Sequence, residues 1–245
     1  MRMCRDVIRV LQNAYRKCFT LLYPRTCVFC GKVHEEFVCE KCREQLVYVE
    51  EPRCKKCGKP IRYVEQEYCQ DCQRTDFSYE QGRSIWVHRE PVTHSIYQFK
   101  YHNRRIYAEF YAQEFLRKYG TLLEEWGIDL IVPVPLHRKR RLQRGYNQAE
   151  VLAKELGRLT GIPVDCSAVI RKRDTQPQKV LDNKERRKNL YQGFSLCKEW
   201  DVPKRILVVD DIYTTGSTIE GVSRALCQNS VNKVWFFTIS IGQDF

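Results

Sequence analysis

No uninterrupted apolar run in this chain reaches the roughly 20 residues that a membrane-spanning helix needs, so no helical span is expected. The first segment, Met1 to Tyr23, is mixed. Arg2, Arg5, Arg9, Arg16 and Lys17 interrupt Val7, Ile8, Val10, Leu11 and Phe19. No apolar core follows the basic start, which argues against a secretory leader. Without an oxidising compartment, the 13 cysteines are not expected to form a disulfide framework. A reducing cytoplasm is the expected location. A Ser–His–Asp or Cys–His arrangement is also missing. His88, His94, His102 and His137 stand outside any motif, although His137 lies beside a basic run and is a candidate for phosphate contact. Covalent nucleophilic catalysis is therefore not expected.

Acidic residues are outnumbered. Lys plus Arg is 42 and Asp plus Glu is 30, a formal charge of +12 over 245 residues. Such a surface suits an anionic partner: nucleic acid, a phosphorylated metabolite or anionic lipid. Hydrophobic residues make up 43% and charged residues 29%, so the chain is globular and long enough for one full-sized domain plus a small one. Val7, Ile8, Leu11, Ala14 and Tyr15 recur at helical spacing. They predict an amphipathic helix within 1–24, either an arm packed on the main domain or a helix for a partner or membrane surface. Peripheral membrane association is therefore left open.

Eight cysteines form four C-x-x-C pairs: Cys27/Cys30, Cys39/Cys42, Cys54/Cys57 and Cys69/Cys72, separated by 8, 11 and 11 residues. A C-x-x-C turn sets two sulfurs on one side of a tight loop, and two such turns complete a tetrahedral Cys4 zinc site. Gly31 and Gly58 follow the first and third pairs, where the knuckle needs free φ. Sequential pairing is simplest, with Cys27, Cys30, Cys39 and Cys42 on one Zn²⁺ and Cys54, Cys57, Cys69 and Cys72 on a second. Interleaved pairing stays open. Both sites would be closed and structural, and folding of 25–76 would be coupled to metal. Eight thiolates and two divalent ions lower the formal charge to about +8. His34 is expected to stay off the metal. Cys4, Cys18, Cys166, Cys197 and Cys227 show no ligand spacing and read as small buried hydrophobes or inert thiols.

Beyond Cys72 the pattern becomes α/β. Strands are predicted at Ser84–His88, Asp129–Val134, Arg205–Val209 and Lys233–Ile241. Helices are predicted at Pro91–Phe99, Ile106–Lys118, Asn147–Leu159 and Ser217–Gln228. Alternating strands and helices imply a mostly parallel sheet flanked by helices over 80–245, with ligands at the carboxyl ends of its strands. The stretch Ile206 to Thr218 is the most informative. Four apolar residues make a central strand, and Asp210 and Asp211 sit where it ends, suited to sugar hydroxyls directly or through Mg²⁺. Thr214, Thr215, Gly216, Ser217 and Thr218 then run into a helix whose N-terminus would hold a phosphate dianion. Gly216 lets the backbone close on it.

Val208 to Thr218 resembles the phosphoribosyl pyrophosphate (PRPP) motif of type I phosphoribosyltransferases. Together with the cysteine tract, Val132–Leu136, Arg144-Gly-Tyr-Asn-Gln148 and Gln178–Phe194, the chain is most similar to ComF-family late-competence proteins. The resemblance implies a phosphoribosyltransferase-like domain behind an N-terminal double zinc ribbon. Asp210 and Asp211 would meet ribose, with Mg²⁺, and Thr214 to Thr218 the 5′-phosphate. Pro133 to Pro135 with the basic loop Arg138, Lys139, Arg140, Arg141 and Arg144 resembles the pyrophosphate region. Arg171 to Arg187 resembles a hood closing over the sugar, with Lys172, Gln178, Arg186, Arg187 and Asn189 as candidates. The catalytic candidates are Asp210, Asp211, Lys172 and Arg186. No base-recognition segment follows the last strand, so three roles follow from the resemblance. One is an accessory of natural transformation that handles imported single-stranded DNA beside a competence helicase or DNA-processing proteins. Another is an active transferase on a nucleobase or amine acceptor, releasing pyrophosphate. The third is a PRPP sensor. Tyr48, Tyr63, Tyr68, Phe77 and Tyr79 lie among basic residues and are candidates to stack on bases or to pack in a core.

Overall fold

The computed structural model describes residues 25–171, 193–197, 204–227 and 233–243. The expected N-terminal helix and the hood candidates Lys172, Gln178, Arg186, Arg187 and Asn189 lie outside the described residues. The chain divides into two compact units, Met1–Leu46 and Val47–Phe245.

The described part of the smaller unit is one knuckle and helix α1 (Glu40–Gln45). Thr26 bridges Val33 across the knuckle. Arg25 lies over the Phe37 ring at 5.5 Å.

The larger unit begins with a second knuckle closed by helix α2 (Gln70–Arg74). It continues through β1 (Gln81–Val87), α3 (Val92–Tyr101), α4 (Tyr107–Trp126), β2 (Leu130–Pro133), α5 (Arg138–Arg144), α6 (Gln148–Thr160), β3 (Val169–Arg171), β4 (Phe194–Leu196), β5 (Arg205–Tyr213), α7 (Ser217–Cys227) and β6 (Lys233–Ile241). Four strands form one parallel sheet in the order β1-β6-β5-β2. β3 and β4 pair antiparallel in a sheet of their own. Strands β5 and β6 are apolar on both faces because helices cover both, as parallel sheets require. The α/β class read from the sequence thus holds.

Several elements differ from expectation: the helix expected to end at Lys118 runs to Trp126, β1 starts at Gln81 rather than Ser84, and the short β3 and β4 were not expected. β5 does not stop at Val209; it pairs with β6 through Tyr213 and carries the acidic pair within the strand. The basic run 138–144 is a helix rather than a loop. Its residues are exposed or half-exposed, so no apolar periodicity marked it. Arg, Lys, Leu and Gln favour helix strongly, and Gly145 ends it at φ 76°.

The second cysteine tract shares the core of this unit. Cys54, Cys57 and Cys69 are buried together with Phe77, Tyr79, Tyr213, Ile219 and Phe236. Gly82 of β1 donates its N–H to the Lys56 carbonyl at 2.8 Å, which ties the knuckle to the sheet. Residues 47–49 run beside β1 through Val49 N to Ile85 O at 2.9 Å and Val87 N to Val47 O at 2.8 Å. That segment covers a sheet edge that would otherwise stand open.

Candidate functional site

The four pairs assemble sequentially. Cys27, Cys30, Cys39 and Cys42 form one tetrad, and Cys54, Cys57, Cys69 and Cys72 the other; in each, the ligand atoms lie within 4.8 Å of one another. A tetrahedral ion with metal–sulfur bonds of ~2.3 Å needs sulfurs about 3.8 Å apart. The Cys30–Cys39 sulfurs are 3.8 Å apart and the Cys57–Cys69 sulfurs 3.6 Å. Backbone N–H groups turn toward sulfur, with Cys39 N to Cys27 Sγ at 3.5 Å and Lys59 N to Cys57 Sγ at 3.4 Å. Both donor sets fit Zn²⁺, and each is closed by four protein ligands, as a structural site is. Gly58 holds φ 78°, and a Cβ there would meet the Gly82 carbonyl at 2.8 Å. His34 is not among the ligands; its Nδ1 accepts from Glu36 N at 3.2 Å. Beneath the second tetrad, buried Lys59 pairs with Asp71 at 2.8 Å. Cys166 and Cys197 are exposed rather than buried, so core packing does not account for them.

The acidic pair sits at the carboxyl end of β5. Successive strand residues point to opposite faces. Asp211 takes the α6 side, where Lys100 of α3 pairs with its Oδ2 at 3.0 Å and Gln148 Nε2 donates to the same oxygen at 2.8 Å. Asp210 is buried, and its Oδ1 accepts from the Asp211 N–H at 2.8 Å. Its carboxyl is pushed up to about 7, first by burial and then by the neighbouring Asp211 charge. His88 lies near this group and donates to or accepts from Ser240 Oγ at 2.8 Å; burial and then the Lys100 charge hold it below its ordinary range.

The loop after β5 follows directly. Thr214 and Thr215 are exposed, Ser217 and Thr218 half-exposed, and Thr215 Oγ1 lies 2.6 Å from Ser217 Oγ. Gly216 is buried at φ 79°. A Cβ there would come within 2.4 Å of the Tyr213 hydroxyl and 3.1 Å of the Phe77 ring. Helix α7 then starts at Ser217 with 11 residues, long enough to present a dipole and open N–H groups to an anion. Its buried Glu220 accepts from Ser78 N at 2.7 Å and Ser78 Oγ at 3.0 Å, which fixes the first turn. Tyr79 and Tyr213 share a hydroxyl contact of 2.8 Å, and both rings pack on Phe236. Burial keeps both phenols protonated.

Arg144, expected near pyrophosphate, donates to Gln148 Oε1 at 3.0 Å and to the Tyr101 hydroxyl at 2.9 Å. It therefore joins the acidic pair through Gln148. Arg141 pairs with Glu150 at 3.3 Å, and Arg138 and Lys139 are exposed. His137 caps α5, its Nδ1 accepting from Lys139 N at 3.4 Å. Lys100 was not read from the sequence. It lies in helix α3, more than a hundred residues from its partner, with no motif to mark it. Gln148 was read only as part of a motif, and only the fold reveals its partner. Of the five aromatic candidates for base stacking, Phe77 and Tyr79 are core residues. Tyr48 is half-buried, with its hydroxyl on Glu114 at 2.8 Å. Tyr63 and Tyr68 remain exposed, at 65% and 40%.

The described fold is therefore that of an α/β protein with a carboxylate pair at the end of a central parallel strand and two Cys4 clusters. The model of the double zinc ribbon domain matches residues 18–73. The chain is 35% identical over 156 residues to competence protein F of Haemophilus influenzae, covering 59% of this chain and 66% of that one. It is 33% identical over 148 residues to DNA utilization protein YhgH of Escherichia coli K12, covering 59% and 64%. It is 27% identical over 161 residues to competence protein ComFC of Streptococcus pneumoniae, covering 64% and 66%. The match thus spans just under two thirds of these relatives' own length. The chain is similar to competence and DNA utilization proteins and carries an N-terminal double zinc ribbon.

Proposed function

We propose that this protein binds PRPP with Mg²⁺ at Asp210, Asp211 and Thr214 to Thr218, and serves as an accessory of natural competence that handles imported single-stranded DNA in the cytoplasm. The observation that carries the reading is the acidic pair at the end of a central parallel strand, one short loop before the positive-φ Gly216 and the N-terminus of α7. Two adjacent carboxylates suit a ribose diol and a hydrated Mg²⁺ shared with phosphate oxygens. Lys100 neutralises part of that pair in the free protein. An arriving cation would take over that role, and a hydroxyl pair would donate hydrogen bonds to the same oxygens. Gln148 holds the Asp211 carboxylate in place meanwhile. The bound cation would supply charge neutralisation at the pyrophosphate. The names of the relatives, competence protein and DNA utilization protein, support the physiological half of the reading.

The test is calorimetric titration of the zinc-loaded chain with PRPP and Mg²⁺. Saturable binding is expected. Turnover is a separate question, answered by pyrophosphate release across a panel of nucleobase and amine acceptors.

A further inference from the structure

Besides Tyr63 and Tyr68, the structure leaves on the surface a second set of aromatic residues that the sequence did not suggest. At the end of α3, Tyr97 is 53% and Tyr101 50% exposed. They stand one helical turn apart, with ring centroids at 5.0 Å. The exposed His102 ring is 5.6 Å from Tyr97. Half-exposed tyrosine pairs offer flat π-faces to solvent at little cost in side-chain entropy. Guanidinium groups frame them. Arg144 lies over the Tyr101 ring at 4.7 Å, Arg105 lies over Tyr146 at 4.7 Å, and Arg104, which follows closely on His102 in the chain, is exposed. Among the described residues, none of these three guanidiniums is paired with a carboxylate. A row of planar rings bordered by uncompensated cations is complementary to a polymer with alternating rings and phosphates. A duplex has its bases stacked on each other and cannot use the rings.

We infer that Tyr97, Tyr101 and His102, bordered by Arg104, Arg105 and Arg144, form the face on which bases of a single-stranded nucleic acid stack. The inference rests on the proposed handling of single-stranded DNA and assigns it to a surface. Its location gives the face a second use. Tyr101 follows Lys100, the ion-pair partner of Asp211, and Arg144 reaches Asp211 through Gln148. A base stacked on Tyr101 therefore lies at the rim of the acidic pair.

The test is fluorescence anisotropy of a labelled oligothymidylate with the full zinc-loaded chain. Tyr97→Ala is expected to weaken binding about tenfold, the usual cost of losing one base–aromatic stack. Tyr97→Phe keeps the ring and is expected to bind within about twofold of wild type. Tyr63→Ala/Tyr68→Ala, in the second zinc ribbon, is expected to bind like wild type. Arg104→Gln/Arg105→Gln should flatten the salt dependence by roughly one phosphate contact per cation lost. Equal binding by wild type and Tyr97→Ala would overturn the inference and leave DNA handling standing, assigned elsewhere. Loss confined to the ribbon variant, or duplex bound as tightly as single strand, would also overturn it. No oligonucleotide binding by wild type would defeat both this surface and the DNA half of the proposed function. PRPP titration of wild type reports separately on the sugar site.

Discussion

Asp210 and Asp211 carry opposite electrostatic burdens although they are adjacent. Asp211 has Lys100 at 3.0 Å and Gln148 at 2.8 Å, whereas Asp210 is buried and its carboxyl is pushed up to about 7. A folded-state pKa above the ordinary carboxylate value of about 3.9 means the folded chain holds the proton longer. The stability this contributes is complete below that ordinary value and is lost as pH rises through about 7. Cation and ribose binding need the ionised form and run the other way. Affinity for PRPP with Mg²⁺ is therefore expected to increase as pH rises through about 7, read by calorimetry across buffers. Lys100 lowers the Asp210 pKa, so Lys100→Met should move that midpoint upward. An unmoved midpoint would remove Lys100 from the site. The acidic pair, the loop hydroxyls and all eight zinc-type cysteines were legible as residues because each sits in a short local pattern. Lys100 was not, since only the packing of α3 against β5 brings it to Asp211.

At the scale of elements, the loop between β5 and α7 depends on a missing side chain. Gly216→Ala would place a methyl against the Tyr213 hydroxyl in a backbone conformation that L-residues rarely adopt. We expect a loss of about 1–2 kcal/mol of stability in chemical denaturation, and PRPP affinity at least about tenfold weaker because the N–H groups of the loop are displaced. Normal PRPP affinity in that variant would show that the loop does not contact phosphate. Phe236 is fully buried between Tyr79 and Tyr213. Phe236→Ala should cost about 3–5 kcal/mol in the same measurement. The four strands of the parallel sheet and the long helices were legible from apolar runs and from periodicity, whereas the three-residue β3 and β4 were too short to show either. α5 was not, because an exposed helix of arginines offers no apolar stripe. The end of β5 was missed because two aspartates read as the close of a strand, yet here they continue its ladder to Tyr213.

At the scale of the molecule, spacing made both zinc ribbons visible but not their packing. Cysteine repeats report which sulfurs share an ion. They do not report that Cys54, Cys57 and Cys69 are buried with Phe77, Tyr79 and Tyr213 in one core. The second tetrad should therefore support the sheet unit. Cys57→Ser is expected to lower the melting temperature of the Val47–Phe245 unit and to weaken PRPP binding, because Phe77 and Tyr213 also lie against Gly216. Unchanged melting would mean this ribbon contributes nothing to the core around it. The formal charge of +12 belongs to this scale too, as an attraction for polyanions that salt should screen.

The central claim is that the β5–α7 junction is a working PRPP site. It is tested most directly by titrating the zinc-loaded chain with PRPP and Mg²⁺ beside Asp210→Asn/Asp211→Asn, which keeps the shape of both side chains and removes their charge. The account expects saturable binding by wild type and none by the variant at equal thermal stability. Absence of binding by well-folded wild type, or equal binding by the variant, would contradict it.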